Sequence, residues 1–369
     1  MKTTIRILLV AVVSLMILGL IMVFSSSNMY SQVRFNNLYF LFSSHSMKVL
    51  ASVVLMLVFA FIPYEKYKEI SKYLLIGVTV LLFITLFMPK FNGASRWLII
   101  GPIRFQPSDL AKLVLIIHLS ALLAEKGDKI KSFGNGLLYA LIWVFVVCGL
   151  ILFQPNVSTS MIIMFLSFTI LYIGGARFKH IFATVAVTLV LAAVVAMILP
   201  HSRERILTYI GSMQGAGEPN IQVSQAKIAL GSGGWFGLGL GQSRQSDLFL
   251  PESYGDFIFS VLGEEIGFIG AVITLLIFLA VFIMGLKIAS RAPDRFSSLL
   301  AFGLSFNIVI SAFINAGVVT GLVPTTGITL PFISFGGTSI ILFGISIGIL
   351  LNIGNSCIEE KTIVVEESA

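Results

Sequence analysis

Charge is what this chain has least of. Only 11% of its 369 residues are Asp, Glu, Lys or Arg, where about 25% is ordinary for a soluble globular protein. That deficit excludes a soluble enzyme, a disordered chain and a nucleic-acid-binding domain. Cysteine is nearly absent as well. Cys148 sits in an apolar run and Cys357 lies near the C-terminus, so neither a disulfide framework nor a metal or CxxC redox site is supported. No Walker A sequence is present. Gly237, Gly239 and Gly241 neither follow a strand nor open a βαβ unit, which argues against a dinucleotide fold. No repeat of 20–50 residues is visible and the two halves show no similarity, which lowers the case for an inverted-repeat transporter.

Apolar residues are abundant, at 57% of the chain. At roughly 20 apolar residues per crossing, there is room for about ten membrane helices and modest loops. Apolar segments at 7–24, 47–62, 73–88, 109–124, 137–153, 158–174, 181–199, 257–286, 298–317 and 335–354 supply that number. The first is longer than the apolar region of a cleavable signal peptide, about 7–15 residues, and reads as a retained helix. The expected architecture is therefore all-α: one polytopic transmembrane domain over 1–369, a large extracytoplasmic loop at 200–256, and a short, charged, disordered cytoplasmic tail at 355–369.

Ten crossings put both termini on one side. With those termini inside, Lys2, Arg6, Lys66, Lys68, Lys72, Lys126, Lys129, Lys131, Arg177, Lys179, Lys287, Arg291, Arg295 and Lys361 fall on the cytoplasmic face, the side cations prefer. The net charge of +7 is thus topological in origin and no nucleic acid is expected as partner. The exceptions carry information. Arg96, Arg104 and Lys112 gather at one outer segment, and Arg203, Arg205, Lys227 and Arg244 occupy the longest one. They could bind an anionic substrate such as a phosphate, or they could snorkel to lipid headgroups.

Three segments could carry chemistry. In LPESYGDFIFSVLGEEIGFIG, Asp256 stands where the long hydrophilic stretch enters an apolar helix. Ser260, Gly263, Gly267 and Ala271 follow it at helical spacing, a stripe of small residues on which another helix can pack closely. A partly buried carboxylate there could act as a general base, or could simply cap the helix. Glu264 and Glu265 lie about 12 Å deeper by helical rise and read as buried hydrogen-bonding groups. In GASRWLIIGPIRFQPSDLAK, Ser108 looks like an N-cap, with Asp109 in the first turn and Lys112 in position to pair with it. A Lys near a helix N-terminus opposes the dipole, which mildly favours a phosphate contact over a simple capped helix start. In TGLVPTTGITLPFISFGGTS, irregular backbone lies between two apolar segments. It is either a wall of a site or a tight turn.

Together these blocks, with ALGSGGWFGLGLGQSRQ, resemble the SEDS family (shape, elongation, division and sporulation), the polytopic peptidoglycan glycosyltransferases. The resemblance spans nearly the whole chain. The GLGLGQSRQ run close to LPE, and the order Thr329-Leu330-Pro331, are nearer the cell-division branch than the elongation branch. The resemblance implies polymerisation of lipid II into glycan strands at the outer face of the bacterial cytoplasmic membrane, at the division septum. It further implies Asp256 as catalytic base, undecaprenyl diphosphate as leaving group, and substrate contacts at Arg96, Asp109 and Lys112, with Arg244, Ser334, Gly336 and Gly337 as further candidates. A divalent cation, Mg or Mn, could assist, although no ligand cluster shows in the sequence. Expected partners are lipid II, membrane lipids, a class B penicillin-binding protein that crosslinks the strands, and other division proteins. An elongation-type polymerase, a lipid II flippase and a non-catalytic division scaffold are the alternatives.

Three positions depart from the family pattern. Tyr254-Gly255 precedes Asp256 where His-Thr is usual, Asn156 and Ser158 stand where Asp and Gly are frequent, and Phe335 replaces a common Tyr.

Overall fold

A computed structural model describes residues 1–89, 95–100, 103–198, 200–213, 220–248, 250 and 253–367. Thirteen α-helices and one short hairpin make up the described chain. Ten of the helices correspond to the ten apolar segments: α1 (Lys2–Phe35), α2 (Phe40–Phe61), α3 (Glu65–Thr85), α4 (Pro107–Lys126), α5 (Leu138–Phe153), α6 (Val157–Ile173), α7 (Phe178–Ile198), α11 (Ile258–Ala289), α12 (Arg295–Val319) and α13 (Ser339–Glu367). Eight are long and apolar enough to cross a membrane, and α6 is a shorter apolar helix. In α3, Glu65, Lys66, Lys68, Glu69 and Lys72 crowd the first turns and shorten its apolar stretch.

Local chemistry sets the helix ends. Asn36 closes α1 in the left-handed conformation, its N–H donating to Gln32 O, a conformation Asn tolerates better than most residues. Asp294 opens α12 through a reciprocal capping box with Ser297. Ser108 is not the cap of α4. The helix starts earlier, with Gln106 as N-cap and Pro107 at the first helical position, where a residue without an N–H and with fixed φ fits best. The C-terminus also differs from expectation: α13 continues to Glu367, so residues 355–367 extend the last helix.

Packing follows small residues, as it must where lipid is as apolar as the helix surface. In the α2–α13 seam, Gly344 faces Ser52, whose hydroxyl donates to Ile340 O at 2.8 Å. Peripheral α7 leaves Val187, Leu189, Val190, Leu191 and Val194 exposed, the surface of a helix that faces lipid.

The 200–256 stretch is more structured than a plain loop. It holds α8 (Pro200–Met213), α9 (Ile221–Ser232) and the short α10 (Arg244–Leu248). Between α9 and α10 the chain runs alongside α11 and pairs with it. There α11 is broken, with Gly267 at φ 78°, ψ −176°, a region essentially reserved for glycine. Leu238 N–H donates to Glu264 O and Gly239 N–H to Glu265 O, while Phe268 and Ile269 donate to Gly234 O and Trp235 O. Four of the backbone groups at the break thereby find partners, as an apolar setting favours. The stripe below Asp256 thus meets α9 at Gly263 and this loop at Gly267, rather than one transmembrane neighbour. Gly267 lies about 14 Å along α11 from Ile258 at 1.5 Å per residue, so the loop reaches well down the bundle.

Candidate active site

The site forms at the loop-rich end of the bundle, where α4, α11 and α13 begin and α12 ends. Asp256 is half-buried one residue before Phe257, the N-cap of α11, so it is not the cap itself. Its backbone carbonyl accepts from Asn315 Nδ2 at 2.7 Å, and the same amide nitrogen donates to Ile328 O at 2.7 Å. One buried side chain of α12 thus ties the start of α11 to the α12–α13 connection. The Asp256 carboxylate faces that connection at Gly327, where a Cβ would stand 3.4 Å from Oδ2.

Behind Gly327 lies a small polar cavity of about 40 Å³, reached by Asp109, Lys112, Thr159, Thr329, Gly337 and Ser339 among others. Asp109 and Lys112 form an ion pair at 2.8 Å with side chains 15% and 10% exposed. The i,i+3 spacing on α4 brings them together, and burial makes the contact stronger than an exposed pair of the same geometry. The cavity as it stands has room for a few waters, not a sugar.

Arg96 approaches from the segment before the hairpin of β1 (Leu98–Ile100) and β2 (Ile103–Phe105). Its guanidinium donates to Gln154 O at 3.4 Å and to Pro155 O. Gln154 Nε2 in turn donates to Leu82 O, linking the ends of α3 and α5. Burial holds the Arg96 guanidinium below its ordinary range, and the positive charge of Arg205 adds to the shift. Arg205, on α8, is likewise lowered by burial, and the nearby Asp256 charge opposes that. Its NH1 donates to Thr325 O at 3.2 Å, while Tyr209 one turn on donates to Leu322 O at 2.7 Å. The α12–α13 connection is thereby clasped by α8 on one side and Asn315 on the other.

Other candidate residues lie outside this grouping. Arg244 opens α10 with an exposed side chain, its N–H donating to Glu264 Oε1 at 3.2 Å about two turns along α11 from Asp256. Ser334 is buried and its hydroxyl accepts from Leu330 N–H at 2.7 Å, which fixes a turn. Gly336 gives its carbonyl to Lys48 Nζ at 3.2 Å. Gly337 alone of that trio reaches the cavity. Arg104, expected with Arg96 and Lys112, is exposed on β2. Glu264 and Glu265 are buried, the first receiving Ser243 and Ser232 hydroxyls and the second that of Ser25.

The departures from the family pattern have structural counterparts. Asn156 is the N-cap of α6, its side-chain oxygen accepting from Thr159 N–H. Tyr254 and Phe335 touch each other, with rings edge to face at 5.6 Å and Phe335 N–H on Tyr254 O at 2.8 Å. Lys48 Nζ lies 4.1 Å over the Phe335 ring.

Sequence reasoning did not single out Asn315, Gly327 or Arg205. A polar residue within an apolar helix was a usable signal for Asn315. No spacing rule separated Arg205 from Arg203 two residues before it. Among the described residues no three His, Cys, Asp or Glu side chains gather.

A lipid-facing groove of about 560 Å³ runs between α3 and α5, lined by Val80, Phe83, Val146, Gly149 and Phe153 among others. Phe153, one of its lining residues, directly precedes Gln154, whose carbonyl accepts from Arg96.

Residues 6–357 match the FtsW/RodA/SpoVE family profile, described as cell cycle protein. The chain is 34% identical over 351 residues to the probable peptidoglycan glycosyltransferase FtsW of Geobacter metallireducens, covering 94% of this chain and 93% of that one. It is 36% identical over 360 residues to stage V sporulation protein E of Bacillus subtilis, covering 95% and 97%. Among solved structures, a chain of a peptidoglycan synthase complex that coordinates polymerization and crosslinking superposes with a TM-score of 0.77 at 24% identity, covering 95% of this chain and 97% of that one. The rod shape determining protein RodA of Thermus thermophilus gives 0.67 at 24% identity, covering 95% and 96%. These two likenesses are of fold. The sequence matches go further, and by them the chain belongs to the FtsW/RodA/SpoVE family of cell cycle proteins.

Proposed function

We propose that this integral membrane protein is a peptidoglycan glycosyltransferase that polymerises lipid II, with Asp256 as general base. The observation that carries the reading is the convergence at one end of the bundle. Asp256 faces Gly327, the Asp109–Lys112 pair lies behind it, and the Asp256 charge acts on Arg205, whose guanidinium is anchored at Thr325 two residues before Gly327. The family match and the relative named as a probable peptidoglycan glycosyltransferase support the reaction class.

In this mechanism the acceptor's 4-hydroxyl gives its proton to an Asp256 carboxylate oxygen as its own oxygen attacks the donor's anomeric carbon. The new C–O bond forms as the bond to the diphosphate oxygen breaks, and undecaprenyl diphosphate leaves with the electron pair. The geometry is that of an inverting glycosidase with a sugar hydroxyl in place of water. Negative charge grows on the diphosphate, and fixed cations in a water-poor site stabilise such charge best. In this reading Arg96 and Lys112 take this role. Arg96 donates to the Gln154 and Pro155 carbonyls, next to Phe153 of the apolar α3–α5 groove, so the groove would take a polyprenyl tail while the guanidinium meets the headgroup. Substrate entry would displace the 325–329 wall of the small cavity.

The loop-rich end faces outward in this reading, since the cations at the opposite end outnumber those here. That places the chemistry at the outer face of the cytoplasmic membrane and both termini inside. A division role at the septum, with a class B penicillin-binding protein as partner, accords with the FtsW relatives and with the synthase complex that shares the fold.

Polymerisation of lipid II by purified protein, with and without a cognate transpeptidase, tests the reading. Wild type should make glycan strands and a folded Asp256→Asn protein none. Equal polymer from both would refute Asp256 as base. Lipid translocation without polymer, insensitive to Asp256→Asn, would point to a flippase instead.

A further inference from the structure

Arg96 and Arg205 are each partly buried, and burying a cation is costly unless an anion can meet it. Here both are anchored by backbone oxygens: Arg96 by Gln154 and Pro155, Arg205 by Thr325. A guanidinium carries five donors in a planar fork, and the Thr325 contact takes one of those of Arg205. Thr325 is two residues from Gly327, against which the Asp256 carboxylate rests. Arg205 is thus anchored to the same connection that the Asp256 carboxylate faces, and the Asp256 charge acts on it. Arg203, on the same helix, is exposed.

We propose that Arg205 is a catalytic residue, which together with Arg96 binds the diphosphate of the lipid-linked donor and stabilises the charge on the departing group. This rests on the glycosyltransferase reading above and assigns to α8 a residue that touches substrate. The assignment replaces Arg244, whose side chain is exposed on α10. It also gives α8 a role in assembling the site. Arg205 and Tyr209 hold the 322–325 backbone that leads into Gly327, which faces Asp256, so docking of α8 and completion of the anion site are one event.

The test uses the full-length protein in detergent or nanodiscs, with inorganic pyrophosphate as probe and thermal unfolding as the check on folding. Arg205→Gln, Arg205→Lys and Arg203→Gln are compared with wild type, both for pyrophosphate binding by calorimetry and for inhibition of glycan synthesis. Removing one preorganised donor to a developing charge lowers turnover by about 10²–10³-fold, and Arg205→Gln should do so. It should also weaken pyrophosphate binding by about tenfold or more, the effect of losing a hydrogen bond to a charged group. Arg205→Lys should fall between, keeping charge but losing the fork. Arg203→Gln should match wild type in both. Unchanged pyrophosphate binding in a folded Arg205→Gln protein would overturn the proposal, as would an equal loss in Arg203→Gln. If wild type makes no glycan, the glycosyltransferase reading fails, while the binding comparison still decides Arg205 as an anion contact.

Discussion

Asn315 offers the sharpest test of how the site is held, because one amide nitrogen serves two backbone carbonyls at 2.7 Å each, those of Asp256 and Ile328. Asn315→Asp keeps the shape and removes the donors. An ionised carboxylate would face two carbonyl oxygens with only acceptors, so the new group must take up a proton, and its single O–H can serve one carbonyl. At least one hydrogen bond is lost, at about 0.5–1.5 kcal/mol, and one carbonyl is left unsatisfied in a buried place at about 1–3 kcal/mol more. Adding the burial of a carboxylate that would rather be ionised, a loss of about 3–5 kcal/mol follows, at the diagnostic end for a single substitution. Turnover should drop by about 10²-fold, because the carbonyl that anchors Asp256 is freed and misplacement of about 1 Å costs that much. Thermal unfolding of the purified protein, beside glycan synthesis, reads both effects. Wild-type unfolding together with full turnover would refute Asn315 as the tie between α11 and the 327–338 wall.

Two other substitutions follow from the geometry. Gly267→Ala places a Cβ in collision with Gly237 N at a φ of 78°, and should cost upward of about 3 kcal/mol. Gly77→Ala, with nothing within 4 Å of the new Cβ, should instead be neutral or stabilising by up to about 1 kcal/mol. Folded yield and unfolding temperature separate them. Asn156→Asp restores the acidic residue frequent in the family at a position that caps α6. Since Asn and Asp cap about equally well, unfolding should shift by less than about 0.5 kcal/mol, and glycan synthesis should stay within twofold of wild type.

The ten apolar helices were legible because each one carries its own apolar run, in eight of them long enough to span lipid whatever its neighbours do. The Asp109–Lys112 pair was legible for the same reason, since i,i+3 spacing on one helix brings the two together without tertiary information. What escaped depends on partners distant in sequence. The break at Gly267 cannot be read from α11 alone: a glycine in a small-residue stripe is equally consistent with close helix packing. Only the arrival of residues 234–239 makes the irregular backbone tolerable. The same holds for Arg205, distinguished from Arg203 by where α8 lies against the α12–α13 connection.

The departures from the family pattern extend that reasoning. Tyr254 and Phe335 are 81 positions apart, and in sequence they look like two independent changes next to important residues. In the fold they are one contact, an edge-to-face aromatic pair joined by a backbone hydrogen bond and flanked by Tyr30 on one side and Lys48 on the other. The Tyr254 backbone precedes Asp256 by two residues, and Phe335 belongs to the segment whose earlier part walls the cavity. A ring enlarged or reshaped on one side of such a packed contact must be matched on the other, or the strain passes to the backbone that positions the base. The two departures therefore meet in one packed contact beside the backbone that leads to Asp256. The Asn156 change fits the same pattern, since the capping role of that side chain needs an acceptor oxygen and not a charge.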